Sequence, residues 1–373
     1  MAGSRDGDGD ALFPLRPLPT PRRGRGAVSR LPHRFASDAR EAAEPEAWRD
    51  TAGDVLPPLA TEVSFETPRS LLAWNDSPDI YFDRSINPYR GCEHGCVYCY
   101  ARPTHSYLNL SPGLDFETRL IAKRDAAAVL RRELARPGYQ PAVVNLGSAT
   151  DAYQPIERDL RLTRGILEVL AQACHPVAIV TKSALVERDL DLLAPMAAAG
   201  LLAVNVSITT LDTTLSRQLE PRAAAPARRL RTVRTLAQAG VPVCVNVAPI
   251  IPFINEPEIE QILGEAAAAG ARAAFYTVLR LPWEVAPLFR EWLAAHFPDR
   301  AERVLNRVRD MRGGRDYEAQ WKTRMKGEGL WADLIRQRFV KTCVRLGLDR
   351  ERFELRRDLF VPPREASPQP SLF

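Results

Sequence analysis

The chain has 373 residues, 45% hydrophobic and 26% charged, with a formal net charge of +5. That length holds one barrel-sized core with extensions, and the absence of any run near 18 apolar residues excludes a helical membrane span. All but five of the 51 basic residues are arginine, whose planar fork suits oxyanions, but so small a cationic excess is weak support for a nucleic-acid partner.

Residues 1–65 are rich in Pro, Gly, Arg and Ala, hold the basic stretch Arg22-Arg23-Gly24-Arg25-Gly26, and show no sustained period. They are expected to be mostly disordered. No apolar signal core begins them, so the expected compartment is the reducing cytosol.

From 66 to 298, strands and helices alternate. Ile86 to Gly91 reads as the first strand, then Ala142–Leu146, Val177–Thr181, Leu202–Ile208, Val243–Val247 and Ala273–Leu279. Between them the helices Leu160–Cys174, Leu185–Ala199, Pro226–Ala239 and Glu256–Ala269 are expected, with Val285–His296 after the last strand. Gly200, Gly240 and Gly270 stand where helices should stop. About six such units imply a parallel sheet and fit a partial (β/α)6 TIM-type barrel, a doubly wound sheet being the alternative. Residues 299–361 read as a helical extension over Glu302–Arg309, Tyr317–Met325 and Leu330–Leu346, and 362–373 as a flexible tail.

Three of the six cysteines fall within eight residues, Cys92-x3-Cys96-x2-Cys99. A [4Fe–4S] cluster has four irons, so three thiolates from one loop leave one iron open. A zinc site is the alternative; it needs four ligands, which His94 or His105 would complete. The strand ends are polar. Asn205 and Ser207 alternate with Val204, Val206 and Ile208, and Cys244 and Asn246 with Val243, Val245 and Val247. With the apolar faces on the helices, the polar faces point inward, as a barrel that binds a polar ligand requires.

The cysteine loop with Tyr98 before its last cysteine resembles the radical S-adenosylmethionine (radical SAM) superfamily. Asp76-Ser77-Pro78-Asp79, Arg84 to Gly91 and Tyr98 to His105 resemble a bacterial branch related to spore photoproduct lyase, labelled "DNA repair photolyase-like". The resemblance runs from about Gly24 to Pro363. It implies one [4Fe–4S] cluster on Cys92, Cys96 and Cys99, reductive cleavage of S-adenosylmethionine, and an electron donor of flavodoxin or ferredoxin type. It implies cofactor contacts from Tyr98, Thr150, Asp151, Lys182 and Ser207: Lys182 for the carboxylate, Thr150 and Asp151 for the amine, Ser207 for the ribose or carboxylate. The substrate it implies is related to nucleic acid. Two other readings stay open: modification of a peptide or small molecule, and a metal-stabilised module that binds nucleic acid or a clamp without catalysis.

One departure stands out. Where the lyase carries a hydrogen-donating cysteine, this chain has Ser148. Cys244 is the candidate replacement and His105 a candidate substrate or cofactor contact. No second cysteine group supports an auxiliary cluster. The tail ends Gln369-Pro370-Ser371-Leu372-Phe373, which resembles the bacterial sliding-clamp motif through Gln369, Leu372 and Phe373. That motif and the basic N-terminal stretch make DNA and the clamp candidate partners.

Overall fold

Val-rich runs of five to eight residues, each closed by a glycine-ended amphipathic helix, build a sheet with helices on its outer face. The computed structural model describes residues 21–36, 59–349 and 353–363. In chain order its strands are β1 (Glu62–Glu66), β2 (Leu72–Trp74), β3 (Arg84–Ile86), β4 (Tyr89–Arg90), β5 (Arg119–Lys123), β6 (Val144–Leu146), β7 (Val177–Thr181), β8 (Leu202–Ser207), β9 (Val243–Ile250) and β10 (Ala273–Val278).

The main sheet has seven strands in the order β10-β9-β8-β7-β6-β3-β2. Six are parallel, and β2 adds an antiparallel edge. Spatial order follows chain order from β3 to β10 with no reversal. A doubly wound sheet must reverse at a switch point, so this is the partial barrel. The edges β2 and β10 do not pair with each other, which leaves the barrel open.

Alternation along the strands sorts the side chains as expected. Val204 and Val206 are buried in the core shared with the helices, with Val243, Val245 and Val247 from the next strand. Asn205, Ser207 and Asn246 take the other face and line a central cavity. The helix Gly329–Leu346 covers the barrel beside β10, placing Ala332, Ile335, Phe339 and Cys343 in the same core.

Three expectations are corrected. The stretch from Ile86 to Gly91 is two strands, not one. Pro88 has no N–H to donate, so β3 ends at Ile86 and β4 joins a second, three-stranded sheet, β1-β5-β4. The expected helix from Tyr317 to Met325 is helical only over Thr323–Lys326. Its start is diverted because the Lys322 N–H donates to Asp79 Oδ1 (2.6 Å) and Arg324 Nε to Asp79 Oδ2 (2.5 Å).

The third correction is to the disorder expected through residue 65. β1 forms a five-residue parallel pairing with β5. Residues 21–36 bury Ala27 and Val28, and the Gly26 and Ala27 N–H groups donate to the Glu117 carboxylate at 3.0 and 2.8 Å. The segment has no periodicity because a distant carboxylate orders it, not its own secondary structure. Gln369, Leu372 and Phe373 lie outside the described residues.

A Cβ on Gly26 would stand 1.8 Å from the Gly95 carbonyl oxygen, backbone against backbone. Gly26→Ala is expected to destabilise the fold by about 1–3 kcal/mol. Gly264→Ala, mid-helix with nothing within 4 Å, should stabilise by about 0.5–1 kcal/mol. Denaturant midpoints of the two variants check the pair; equal midpoints would remove the contact between the N-terminal segment and the cysteine loop.

Candidate active site

The cysteine loop leaves β4 through Gly91, at φ +78°. A Cβ there would meet Leu120 Cδ2 at 2.6 Å and the Phe116 carbonyl at 2.8 Å, so only glycine fits. Cys92 N–H donates to Phe116 O (2.9 Å), Gly95 N–H to Cys92 O (3.3 Å) and Cys99 N–H to Cys96 O (3.2 Å). These turns aim Cys92, Cys96 and Cys99 into one cavity of about 620 Å³ at the C-terminal end of the strands. Active sites of parallel barrels form at that end.

Arg102, fully buried, holds the loop from below. Its guanidinium donates to Cys96 O (2.9 Å), Gly95 O (3.1 Å), Pro112 O (3.1 Å) and Gly113 O (2.9 Å), and pairs with the buried Glu117. Glu93, also buried, accepts from Thr61 Oγ1 (2.9 Å) and Ile156 N (2.9 Å) and pairs with Arg222 (2.9 Å). The expected site did not include Arg102, Glu117 or Glu93. Only the crowding of charged residues beside the cysteines could have pointed to them.

Asp151 is the hub between loop and barrel. Its Oδ1 accepts from Tyr153 N (2.9 Å) and Thr181 Oγ1 (2.8 Å). Its Oδ2 accepts from Lys182 N (2.7 Å) and lies 3.2 Å from His94 Nδ1. Burial drives this carboxyl up, but His94 and the backbone donors outweigh it and hold it at about 2. Each oxygen faces two protein donors, through which Asp151 positions the loop and Lys182, and the residue lines the cavity in which contact with a ligand amine is expected. Thr150 is free for that contact. Its Oγ1 is buried without a partner and the residue lines the cavity.

Lys182 and Ser207 also line the cavity. Lys182 Nζ lies 5.9 Å from the Tyr98 ring centroid. The Tyr98 hydroxyl donates to Glu220, which also accepts from Thr209 Oγ1 (2.5 Å) and pairs with the buried Arg229. Burial raises Glu220, but Arg229 and Lys182 bring it down to about 2. Burial, helped by Asp151 and Cys96, pushes the Cys92 thiol well above its ordinary range. Burial also pushes Cys96 up to about 12, against the pull of Lys182. Buried thiols of this kind stay protonated until a metal displaces the proton.

Two expected residues lie elsewhere. His105 Nε2 is 3.0 Å from Arg119 O, and its ring packs edge-on against Phe116 beneath Gly91. It supports the loop and does not line the cavity. Cys244 sits two residues before Asn246 on β9, buried, with Sγ 3.9 Å from Asn246 Oδ1. It too is outside the lining. Among the described residues no three Cys, His, Asp or Glu side chains converge as a single-ion site. His105 is turned to Arg119 O and does not line the cavity, and His94 faces Asp151 through Nδ1. The donor set fits a cluster instead: three thiols from one loop, an open side toward the cavity, and an unpartnered hydroxyl and an amine beside it.

A parallel partial barrel carrying three clustered cysteines at its mouth defines a class of proteins that work with an iron–sulfur cluster and S-adenosylmethionine. The family model of the radical SAM superfamily matches residues 86–266, from the end of β3 into the helix Ile259–Ala268, just under half of the chain. That superfamily uses a [4Fe–4S] cluster and S-adenosylmethionine, and its members are in general enzymes. An uncharacterised protein of Mycobacterium tuberculosis is 40% identical over 224 residues, 60% of this chain and 66%, just under two thirds, of that relative. An uncharacterised protein of Methanocaldococcus jannaschii is 28% identical over 223 residues, 60% of this chain and 80% of the relative. Among solved structures, a variant of spore photoproduct lyase matches with a TM-score of 0.53 at 17% identity, over 77% of this chain and 80% of that one. It shares the fold. Among the described residues no helix is long and apolar enough to cross a membrane.

The Asp151 and Glu220 carboxyls are both depressed in the folded chain. Their stabilisation is complete above the unfolded values of about 4 and is lost as pH falls towards 2. Thermal midpoints should therefore drop across that window. Glu220→Gln should lower the midpoint at pH 7 and flatten the acid limb. An acid limb unchanged in the variant would show that Glu220 is not depressed.

Proposed function

We propose that this chain is a radical SAM enzyme that holds one [4Fe–4S] cluster on Cys92, Cys96 and Cys99, cleaves S-adenosylmethionine reductively and abstracts hydrogen from a substrate related to nucleic acid. The observation that carries the reading is the convergence of three thiols, the Lys182 amine and the unpartnered Thr150 hydroxyl on one cavity at the barrel mouth. When bound, the cluster and its nucleoside supply one-electron reductive cleavage of the sulfonium and removal of a hydrogen atom from substrate.

The chain's own residues do the rest. Lys182 offers a cation to the methionyl carboxylate, its backbone fixed by Asp151. Thr150 offers its oxygen to the amine, and Ser207 a hydroxyl to the ribose or carboxylate. Tyr98, locked by Glu220 and Thr209, forms the wall beside the loop and excludes water. An electron donor of flavodoxin or ferredoxin type and a cytoplasmic setting complete the proposal. The DNA and sliding-clamp partnerships, through Gln369, Leu372 and Phe373, rest on the sequence alone. Ser148 lines the cavity with Asn87 Nδ2 3.3 Å from its Oγ. A serine O–H bond is too strong to return a hydrogen atom readily, so reversal of spore-type thymine dimers by the lyase route is not part of this function.

Anaerobic reconstitution should load about four irons per chain and yield 5′-deoxyadenosine under dithionite. Cys96→Ala should lose both. Lys182→Ala should keep the iron and weaken S-adenosylmethionine binding by about tenfold or more, the cost of one charge-assisted contact. Iron loading without cleavage, or an unchanged cofactor affinity in Lys182→Ala, would remove the respective assignment. Incubation with spore-type thymine dimers should give no repair; lyase-like turnover would overturn the inference from Ser148.

A further inference from the structure

The cavity is unbalanced in charge. Lys182, Arg280 and Lys326 line it, against two acids, Asp79 and Asp151. Both acids are taken, Asp79 by Arg324 and Asp151 by His94 and its other donors. Among the described residues none of the three cations has a carboxylate within ion-pair distance. Lys182 is assigned above to S-adenosylmethionine. Arg280 and Lys326 remain.

Arg280 lies two residues past the end of β10. Its Nη1 lies 3.4 Å from Met325 Sδ and its Nη2 donates to Tyr317 Oη at 3.2 Å, both uncharged; its Nε is buried with no partner. Lys326 Nζ donates to Tyr276 O at 2.7 Å and stands 3.4 Å from the centroid of the Tyr276 ring, with no carboxylate on it among the described residues. Arg312 fastens the two together. Fully buried, it donates to the carbonyls of Leu279 (2.8 Å), Thr323 (3.1 Å) and Arg324 (2.7 Å), clamping the Thr323–Lys326 turn to the end of β10. Burial pulls Lys326 down to about 8, and burial with repulsion from Arg280 pulls Arg312 down to about 10.

A shielded cation without a counter-ion is costly. Elsewhere this fold gives the buried Arg102 and Arg229 an acid each. Here it withholds one at a cavity mouth. Tyr81 and Tyr100 line the same mouth, 58% and 49% exposed, and the Arg280 guanidinium stands 5.3 Å from the Tyr100 centroid. Exposed rings beside a cationic groove are the elements that stack bases and track phosphates.

We infer that Arg280 and Lys326 form a phosphate subsite for the substrate, with Tyr81 and Tyr100 beside it for a flat ring, so that the substrate is a phosphate-bearing nucleotide unit. A phosphate's oxygens point in tetrahedral directions, so they can meet the guanidinium fork and the ammonium from different sides. The inference rests on the proposed function for what the substrate is used for, and a free nucleotide and a strand both carry the phosphate it requires.

The test titrates the cluster-loaded full chain, with S-adenosylmethionine present, against thymidine 5′-monophosphate, thymidylyl-thymidine and the uncharged methylphosphonate analogue of that dinucleotide. At least one charged ligand should bind about tenfold or more tightly than the neutral one, and Arg280→Gln and Lys326→Met should each remove most of the difference. Preference for the monophosphate assigns a free nucleotide, preference for the phosphodiester a strand. Equal or undetectable binding of all three overturns the subsite, as does discrimination that survives both substitutions. Release of 5′-deoxyadenosine, followed in the same samples, reports the proposed reaction separately. Intact cleavage without discrimination therefore sinks only the subsite, and discrimination without cleavage sinks only the reaction.

Discussion

The buried pair of Arg102 and Glu117 is the constraint on which the cysteine loop depends. Both side chains are fully shielded, and removing either would strand a charge inside the protein, an effect worth about 3–5 kcal/mol in other folds. The pair survives burial because its remaining valences are filled. Arg102 gives hydrogen bonds to four carbonyls, two of them within the cysteine loop. Glu117 takes the backbone N–H groups of Gly26 and Ala27. One ion pair thus joins three stretches far apart in sequence: the N-terminal segment, the cysteine loop, and the short helix Leu114–Thr118 that leads into β5.

That arrangement shows why three thiols can be held ready for a metal. Cysteine side chains alone cannot fix a loop, because free thiols are poor hydrogen-bond partners. Here the backbone does so. Its carbonyls are pinned by Arg102, its Gly91 turn closes against Leu120 and Phe116, and His94 is drawn to Asp151 on the far side. Since Asp151 also holds the Lys182 backbone, the loop and the end of β7 cannot shift independently. The proposed cluster ligands and the proposed carboxylate anchor are thereby set in one frame.

The sequence made much of this legible, for physical reasons that differ by element. Val177–Thr181 and Val285–His296 have the bounds expected of them, because a β-branched run and a 3.6-residue pattern are local signals. Alternation along β8 and β9 placed Asn205, Ser207 and Asn246 in the cavity for the same reason. Short polar strands such as β1, and β5 opposite it, carry no such signal and form through pairing across 57 residues, as between Glu62 and Arg119. Glu220 and Arg229 carry no mark in the sequence, since charged residues are usually exposed, yet they are 1% exposed and brace Tyr98. Asp151 was visible as a site residue, but whether its oxygens face a ligand or the protein is decided by donors on β7 and in the cysteine loop, and no spacing encodes that. The same holds for His105, whose place beside the motif hid its partner on Arg119.

Charge placement completes the picture. Across the chain, arginines are spent on acids: Arg188 on Glu157 and Asp189, Arg228 on Glu187, Arg338 on Glu256 and Glu260. The pairs with Glu157, Glu187, Glu256 and Glu260 each close one part of the fold on another. At the cavity the pattern inverts. The acids present are those that position the walls, and the cations left over face the space between them. Such a field is weak in the net charge of +5 and strong where water is excluded, since a low local dielectric magnifies each uncompensated charge. Net charge therefore says little about this cavity, because the charges that matter there are few and are distinguished only by the acids missing beside them.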